Sequence, residues 1–241
     1  MSLYDALRDA LEAEQPMVVA TVISETNRGA KLLVYPDSST LGFLGPHVSE
    51  TTVVHDALAM LATAQSGTRT YPTATGTVAI FIESYPAPPT LYIVGAVHVA
   101  ISLVTFARTL GFRTVVIDAR GVFASPERFA HADELLIAWP DEVLEGRLNH
   151  SSYVVLLTHD PKFDDPVIKL ALAGSVAYLG ALGSKRTHAN RLERLREAGL
   201  SEAQLARIYA PIGLAIGAKT PEEIAVSIMA EIVAVRHQRR G

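Results

Sequence analysis

The hydrophobic pattern changes character once along the chain. Near the start, apolar residues return at helical spacing from Tyr4 to Glu14, with Leu3, Leu7, Ala10 and Leu11 on one face, which predicts a short amphipathic helix. Two apolar, β-branched runs follow, Met17–Ser24 and Ala30–Tyr35, and the polar stretch 25–29 between them predicts paired strands joined by a loop. Glu50–Gln65 reads as a helix and Thr75–Glu83 as another strand. The stretch 85–90 then carries Pro86, Pro88 and Pro89, which stiffen the backbone and remove donors as expected of a linker.

Beyond that point short apolar runs alternate with helical ones. Strands are predicted at Leu91–Val94, Thr114–Asp118, Glu134–Ile137, Tyr153–Thr158 and Val176–Leu182, and helices at Val97–Leu110 and Val167–Ala173. Such alternation implies a mostly parallel sheet with helices on both faces. A last helix is announced by Thr220 as cap, Pro221 in the first turn and Glu223 completing a capping box, with Ile224, Ile228, Ile232 and Val235 on one face. Its end, 236–240, is basic, which suits the macrodipole. The expected fold class is α/β: a Rossmann-like C-terminal domain over 91–241 and a smaller N-terminal α+β domain over 1–84.

Composition narrows the function. The 241 residues are 49% hydrophobic and 19% charged, enough for a sizeable core. A net charge of −4 argues against a general nucleic-acid binder. With no cysteine there is no disulfide, no thiolate metal site and no cysteine nucleophile, and no metal ligand set is expected. Residues 91–107 are apolar, yet they are too few for a membrane span and are interrupted by Gly95, His98, Ser102 and Thr105. The polar, amphipathic start without a secretory pattern favours the cytoplasm.

In open α/β sheets ligands gather beyond the carboxyl ends of the strands, and several candidate groups fall there. Gly95-Ala-Val-His-Val-Ala100 follows one strand. A dinucleotide fingerprint asks for glycine at 95, 97 and 100; Gly95 fits, Ala100 is tolerated and Val97 obstructs the pyrophosphate. Asp118 ends the next strand, where a ribose-binding acid sits, so NAD(P) is a candidate cofactor with Val97 against it. His98 serves either as a ligand-facing group or as neutral packing at the junction. His159 and Asp160 are candidates for binding a ligand, against plain turn chemistry before Pro161; Asp164 can join them, whereas Asp165 reads as a turn residue. The apolar run ending near Leu182 breaks at Gly183 and Ser184 and presents Lys185, Arg186 and His188 as a helix begins. Helix-start N–H groups beside two fixed cations form a phosphate or carboxylate seat, a solvated basic face being the alternative. Gly213 and Gly217 punctuate the loop before the last helix. All these segments are expected around one crevice.

Three blocks resemble a known family. Gly180-Ala-Leu-Gly-Ser-Lys-Arg-Thr187, Pro211-Ile-Gly-Leu-Ala-Ile-Gly-Ala218 and Thr220-Pro-Glu-Glu-Ile-Ala-Val-Ser-Ile228 are similar to the C-terminal domain of the XdhC/CoxI proteins, which are xanthine dehydrogenase accessory proteins. Ile93–Ala100 and Thr158–Asp160 fall in the matching order, and Gly29–Val34 resembles the family's N-terminal domain more weakly. The resemblance implies a non-catalytic maturation factor, a homodimer, that binds the molybdenum cofactor (molybdopterin). It would receive this from cofactor biosynthesis proteins and pass it to a molybdenum hydroxylase apo-enzyme of the xanthine dehydrogenase or carbon monoxide dehydrogenase type. The terminal phosphate of that cofactor suits the seat at Gly183–Arg186. The chain departs from the family at Val97, commonly glycine, and Ala215, commonly aspartate. Pro72–Gly76 replaces a cysteine-bearing glycine motif, and Leu41–Pro46 replaces a glycine-rich loop. An NAD(P)-dependent oxidoreductase and a diverged nucleotide- or pterin-binding regulatory module are the alternatives.

Overall fold

The structure, a computed structural model, describes residues 2–24, 27–74 and 76–238. Glu25 and Thr26 of the expected first loop, Thr75 at an expected strand start, and the last expected helical positions Arg239 and Arg240 lie outside the described residues. The chain divides into two units, one up to Ala87 and one from Pro88.

The first unit opens with α1 (Leu3–Glu12), capped reciprocally by Ser2 and Asp5. Its strands are β1 (Met17–Val22), β2 (Lys31–Val34), β3 (Thr40–Gly42), β4 (Gly67–Thr73) and β5 (Gly76–Tyr85), with α2 (Glu50–Ala62) between β3 and β4. They form one antiparallel sheet ordered β3-β2-β1-β5-β4. The two-residue period of the strands divides the apolar side chains between two layers. Val18, Ala20, Val22, Leu32 and Val34 pack with Val53, Ala57 and Leu61 of α2. Met17, Val19 and Leu33 meet Ala6 and Ala10 of α1. α2 stops short of the expected Gln65 because Ala64 turns left-handed, with φ 52°. β3 and β4 carried no sequence signal. β3 is only three residues long, and β4 reads Gly-Thr-Arg-Thr-Tyr-Pro-Thr, polar with a proline, which an edge strand paired to β5 alone tolerates.

Tyr85 closes β5 and β6 begins at Thr90, so the connection with no strand structure is 86–89, shorter than the expected linker. β6 (Thr90–Val94), β7 (Arg113–Ile117), β8 (Glu134–Leu136), β9 (Ser152–Leu156) and β10 (Tyr178–Ala181) make a parallel sheet ordered β10-β9-β6-β7-β8. Leu91, Ile93, Val116 and Val155 bury against α3 (His98–Thr109) and α9 (Pro221–Gln238). Tyr92, Val94, Val115, Ile117 and Val154 bury on the other face against α6 (Pro161–Ala173) and α7 (Lys185–Glu197). Covered faces on both sides are why these strands read as continuous apolar runs. The architecture is therefore the expected one: a Rossmann-like α/β unit and a separate α+β unit built on an antiparallel sheet. The capping box of α9 is present, with Glu223 N–H donating to Thr220 Oγ1 at 3.3 Å and Thr220 N–H donating to Glu223 Oε2 at 3.1 Å.

α6 corrects the sequence reading, which placed a helix over 167–173 only. Asp160 caps it by accepting from the Lys162 N–H at 3.0 Å, and Pro161 occupies the first turn, where its missing N–H costs nothing. The turn expected at Asp160-Pro161 is thus a helix start, and Pro166 lies inside the same helix. The short helices α4 (Pro126–Phe129), α5 (Pro140–Leu144) and α8 (Glu202–Leu205) are too brief to show a period.

The loop before α9 is fixed from below. Tyr209 N–H donates to Leu179 at 2.9 Å and Ile212 N–H to Ala181 at 3.2 Å, so the segment laces onto the edge of β10. Glu231 accepts from Gly213 N–H at 3.0 Å and from the Tyr178 hydroxyl. Gly213 has φ +93°, and a Cβ there would lie 2.5 Å from Ser227 Oγ and 3.2 Å from Ile228 N. Gly213→Ala is expected to destabilise the second unit by about 1–3 kcal/mol in urea denaturation. Gly174→Ala, where a Cβ meets nothing closer than 3.9 Å, serves as the control and is expected to change little.

Candidate functional site

β6, β7 and β8 follow one another to one side, and β9 returns to the other side of β6. The order therefore reverses between β6 and β9, the place where open parallel sheets take ligands. A cavity of about 450 Å³ opens at this edge, lined by Val97, Arg120, Leu157, Thr158, His159, Asp160 and Pro161. That volume falls in the small-molecule range.

The turn after β6 needs its glycine. Gly95 has φ +108°, and a Cβ there would lie 2.9 Å from Thr158 Cγ2 and 3.3 Å from the Leu157 carbonyl carbon. Val97 is the cap residue of α3 and provides no side-chain bond, so the positive end of that helix is left without a side-chain cap. His98 is exposed on the first turn of α3, which removes the packed-histidine alternative.

Asp118, just beyond β7, is fully buried. Its Oδ1 accepts from Arg120 N–H at 3.0 Å and Arg120 Nε at 2.9 Å; its Oδ2 accepts from Ala96 N–H at 2.9 Å and Arg120 Nη2 at 2.8 Å. Burial pushes this carboxyl up, but the Arg120 side chain and the Ala96 and Arg120 amides together hold it below its ordinary value. The expected ribose-binding acid is thus turned inward: each oxygen already accepts twice. Its work is to tie the β6 turn to the β7 turn and to aim Arg120. The guanidinium lies 4.6 Å from the Phe123 ring centre and 5.3 Å from that of Phe163. Its Nη1 makes no hydrogen bond among the described residues, so a fixed cation with a free edge stands in the cavity wall. Sequence reasoning missed Arg120; the available signal was an arginine two residues past a strand-ending acid.

His159 and Asp160 are exposed and line the cavity, Asp160 doing so while it caps α6. Below them, Thr158 Oγ1 donates to Asp164 Oδ1, and Arg191 Nη2 donates to Asp164 Oδ2 at 3.1 Å and to the Leu182 carbonyl at 3.1 Å. Asp164 and Arg191 are 2% and 1% exposed. Burial pushes the Asp164 carboxyl above its ordinary value, with Thr158 and Arg191 pulling the other way. Asp165 lies inside α6 and not in the expected turn, and Arg194 grips it through bonds of 3.0 and 3.1 Å.

The basic turn lies on the same edge but apart from the cavity. Ser184 caps α7 by accepting from Thr187 N–H at 3.1 Å, and Gly183 takes φ +144°. Ser184, Lys185 and Arg186 are exposed, and none of Gly183–Arg186, Gly213 or Gly217 belongs to the cavity lining. β10 lies beyond β9, two strand spacings or about 10 Å from β6, so the basic turn stands to one side of this cavity. Among the described residues no group of three or more His, Asp or Glu side chains is placed to hold a metal ion, and no helix is long and apolar enough to cross a membrane.

Comparison with known proteins gives consistent matches. The profile described as the XdhC Rossmann domain matches residues 91–232, and that of the XdhC and CoxI family matches residues 10–72. The uncharacterized protein YqeB of Escherichia coli K12 is 29% identical over 258 residues, covering 100% of this chain and 47% of its own length. A Bacillus subtilis protein, named as a probable component of xanthine dehydrogenase, is 34% identical over 161 residues, 66% of this chain and 47% of its own. The molybdenum cofactor insertion chaperone PaoD of E. coli is 39% identical over 94 residues, 39% of this chain and 30% of its own. The chain thus spans less than half the length of each of these curated relatives. A crystal structure described as a xanthine dehydrogenase from Bacillus halodurans aligns with a TM-score of 0.56 at 23% identity, over 99% of this chain and 97% of that one, a likeness of fold.

Proposed function

Because this chain belongs to the XdhC/CoxI family, we propose that it is a molybdoenzyme maturation factor, which binds the molybdenum cofactor and delivers it to an apo-enzyme of the xanthine dehydrogenase or carbon monoxide dehydrogenase type. The observation that carries this reading is Arg120, held rigid by Asp118 in the wall of a cavity at the sheet's reversal point. The relative named as a molybdenum cofactor insertion chaperone supports the choice of cargo.

The residues present fit such a cargo. A terminal phosphate is bound best by a preorganised guanidinium fork beside a helix N-terminus, and Arg120 with the start of α3 supplies both. With no cysteine the chain offers a metal no thiolate, so its residues would hold the organic frame and the phosphate of the cofactor. The bound cofactor supplies redox chemistry to the enzyme that receives it; this chain binds, orients and shields. Gly95 permits close approach at the β6 turn, His159 and Asp160 line the cavity, and His98 is exposed on the first turn of α3. Lys185 and Arg186, exposed toward the same edge, make a second contact with a long anionic cargo. Gly213 and Gly217 shape the neighbouring loop. A cytoplasmic homodimer serving a molybdenum hydroxylase and the cofactor biosynthesis proteins belongs to the same proposal. An NAD(P)-dependent oxidoreductase is disfavoured by Asp118, which has no acceptor left for a ribose hydroxyl, and by Val97 in the path of a pyrophosphate.

The test is recovery of cargo. Protein produced together with the cofactor biosynthesis proteins is expected to carry a pterin through purification, identified by mass spectrometry after extraction. Wild-type protein recovered without pterin, or with NAD(P) in its place, overturns the reading.

A further inference from the structure

Resting on the reading that the cavity takes an anionic pterin-like ligand, we propose that Thr158 meets this ligand strictly as a hydrogen-bond acceptor, so that the cavity selects an N–H donor edge as well as an anionic group. A threonine beside a phosphate-type site ordinarily donates its proton to the anion. Here the proton is committed elsewhere. The hydroxyl has a single hydrogen, and Oγ1 gives it to Asp164 Oδ1. The other oxygen of Asp164 accepts from Arg191 Nη2 at 3.1 Å, and a guanidinium cannot accept in return. The carboxylate is thereby fixed as the acceptor in the chain Arg191–Asp164–Thr158.

The rotamer of Thr158 is fixed as well. Its Cγ2 faces the β6 turn so closely that a Cβ on Gly95 would lie 2.9 Å away. Methyl toward Gly95 and hydroxyl proton toward Asp164 leave the oxygen lone pairs as the only polar feature that the side chain of this cavity-lining residue offers. Arg120, on the β7 side of the cavity, offers only donors. The two walls therefore differ in sign: the anionic end of a ligand goes to Arg120, and an edge bearing N–H groups goes to Thr158. A pterin ring carries such an edge at its pyrimidine side.

The experiment titrates the purified protein with two fluorescent probes, pterin-6-carboxylate and 1,3-dimethyllumazine-6-carboxylate. Both carry the anion, and the second lacks the ring N–H donors. Wild-type protein is expected to favour the first about fivefold, the factor corresponding to one neutral hydrogen bond. Thr158→Val is expected to abolish that preference and Thr158→Ser to keep it. Asp164→Asn has a separate signature. Because Arg191 cannot accept, the Asn amide must turn its carbonyl to Arg191 and its NH₂ to Thr158, which frees the Thr158 proton for the cavity. The preference then shifts toward the dimethyl probe, an effect that loss of packing does not produce. If Asp164→Asn does not fold, the Thr158 pair decides alone. An unchanged preference in Thr158→Val, with both probes weakened by Arg120→Ala, overturns the role of Thr158 and leaves the anion site standing. Failure of both probes to bind, with no competition by inorganic pyrophosphate, overturns the underlying reading instead.

Discussion

Asp164→Ala is expected to lower the stability of the second unit by about 3–5 kcal/mol, the cost of leaving one buried charge without its partner. Arg191 is 1% exposed, and among the described residues its Nε and Nη1 already make no hydrogen bond. Removing Asp164 leaves it, among the described residues, only the Leu182 carbonyl as acceptor. The reciprocal change, Arg191→Met, is expected to cost less, because burial already raises the Asp164 carboxyl toward its neutral form and a proton can replace the missing cation. The double variant Asp164→Leu/Arg191→Met removes both charges and is expected to regain most of the loss. The readout is built into the chain. Trp139 is the single tryptophan, and its ring centre lies 4.8 Å from that of Phe163 on α6, one residue before Asp164. Tryptophan fluorescence in urea therefore follows the unit that contains the pair. A double variant no more stable than Asp164→Ala would show that lost packing, and not the orphaned guanidinium, sets the cost.

What the sequence disclosed and what it hid follow from the same physics. Strands such as Leu91–Val94 and Tyr153–Thr158 were legible because burial on both faces forces uninterrupted apolar runs. α9 was legible because its cap is local, written in Thr220 and Glu223. β4 was hidden because an edge strand, with only Tyr71 buried, needs neither alternation nor freedom from proline. The start of α6 was hidden because Asp160-Pro161 reads as a turn, although first-turn geometry permits that proline, and because Pro166 inside the helix gives up a backbone donor.

The site divided in a similar way. Asp118 was identified at a strand end, but the direction of its carboxylate is decided by Arg120 and the Ala96 amide, and neither contact has a sequence signature. The turn Gly183–Arg186 drew the most weight because its charges are adjacent in sequence. Its distance from the cavity depends on strand order, with β9 lying between β10 and β6, and no local pattern records that order.

The largest effect on binding is expected at Arg120. Arg120→Ala should weaken binding of pterin-6-carboxylate by about 10- to 150-fold, the equivalent of a charge-assisted hydrogen bond worth roughly 1.5–3 kcal/mol. The substitution also strips two of the four donors from the buried Asp118 carboxylate, so a stability loss accompanies it. Arg120→Lys separates the two consequences. Lysine keeps the charge beside Asp118 but has no planar fork that can grip Asp118 on one edge and an anion on the other. It is therefore expected to retain much of the melting temperature while losing most of the affinity. Two further arginines locate the effect. Arg194 is committed to Asp165, so Arg194→Ala should leave affinity unchanged. Arg186 is exposed on the basic turn outside the cavity lining, and Arg186→Ala should weaken binding less than Arg120→Ala does. Isothermal titration of the four variants orders these contributions. If Arg186→Ala carries the loss and Arg120→Ala does not, the anion sits on the exposed turn after β10, and the cavity between β6 and β9 is not where the cargo binds.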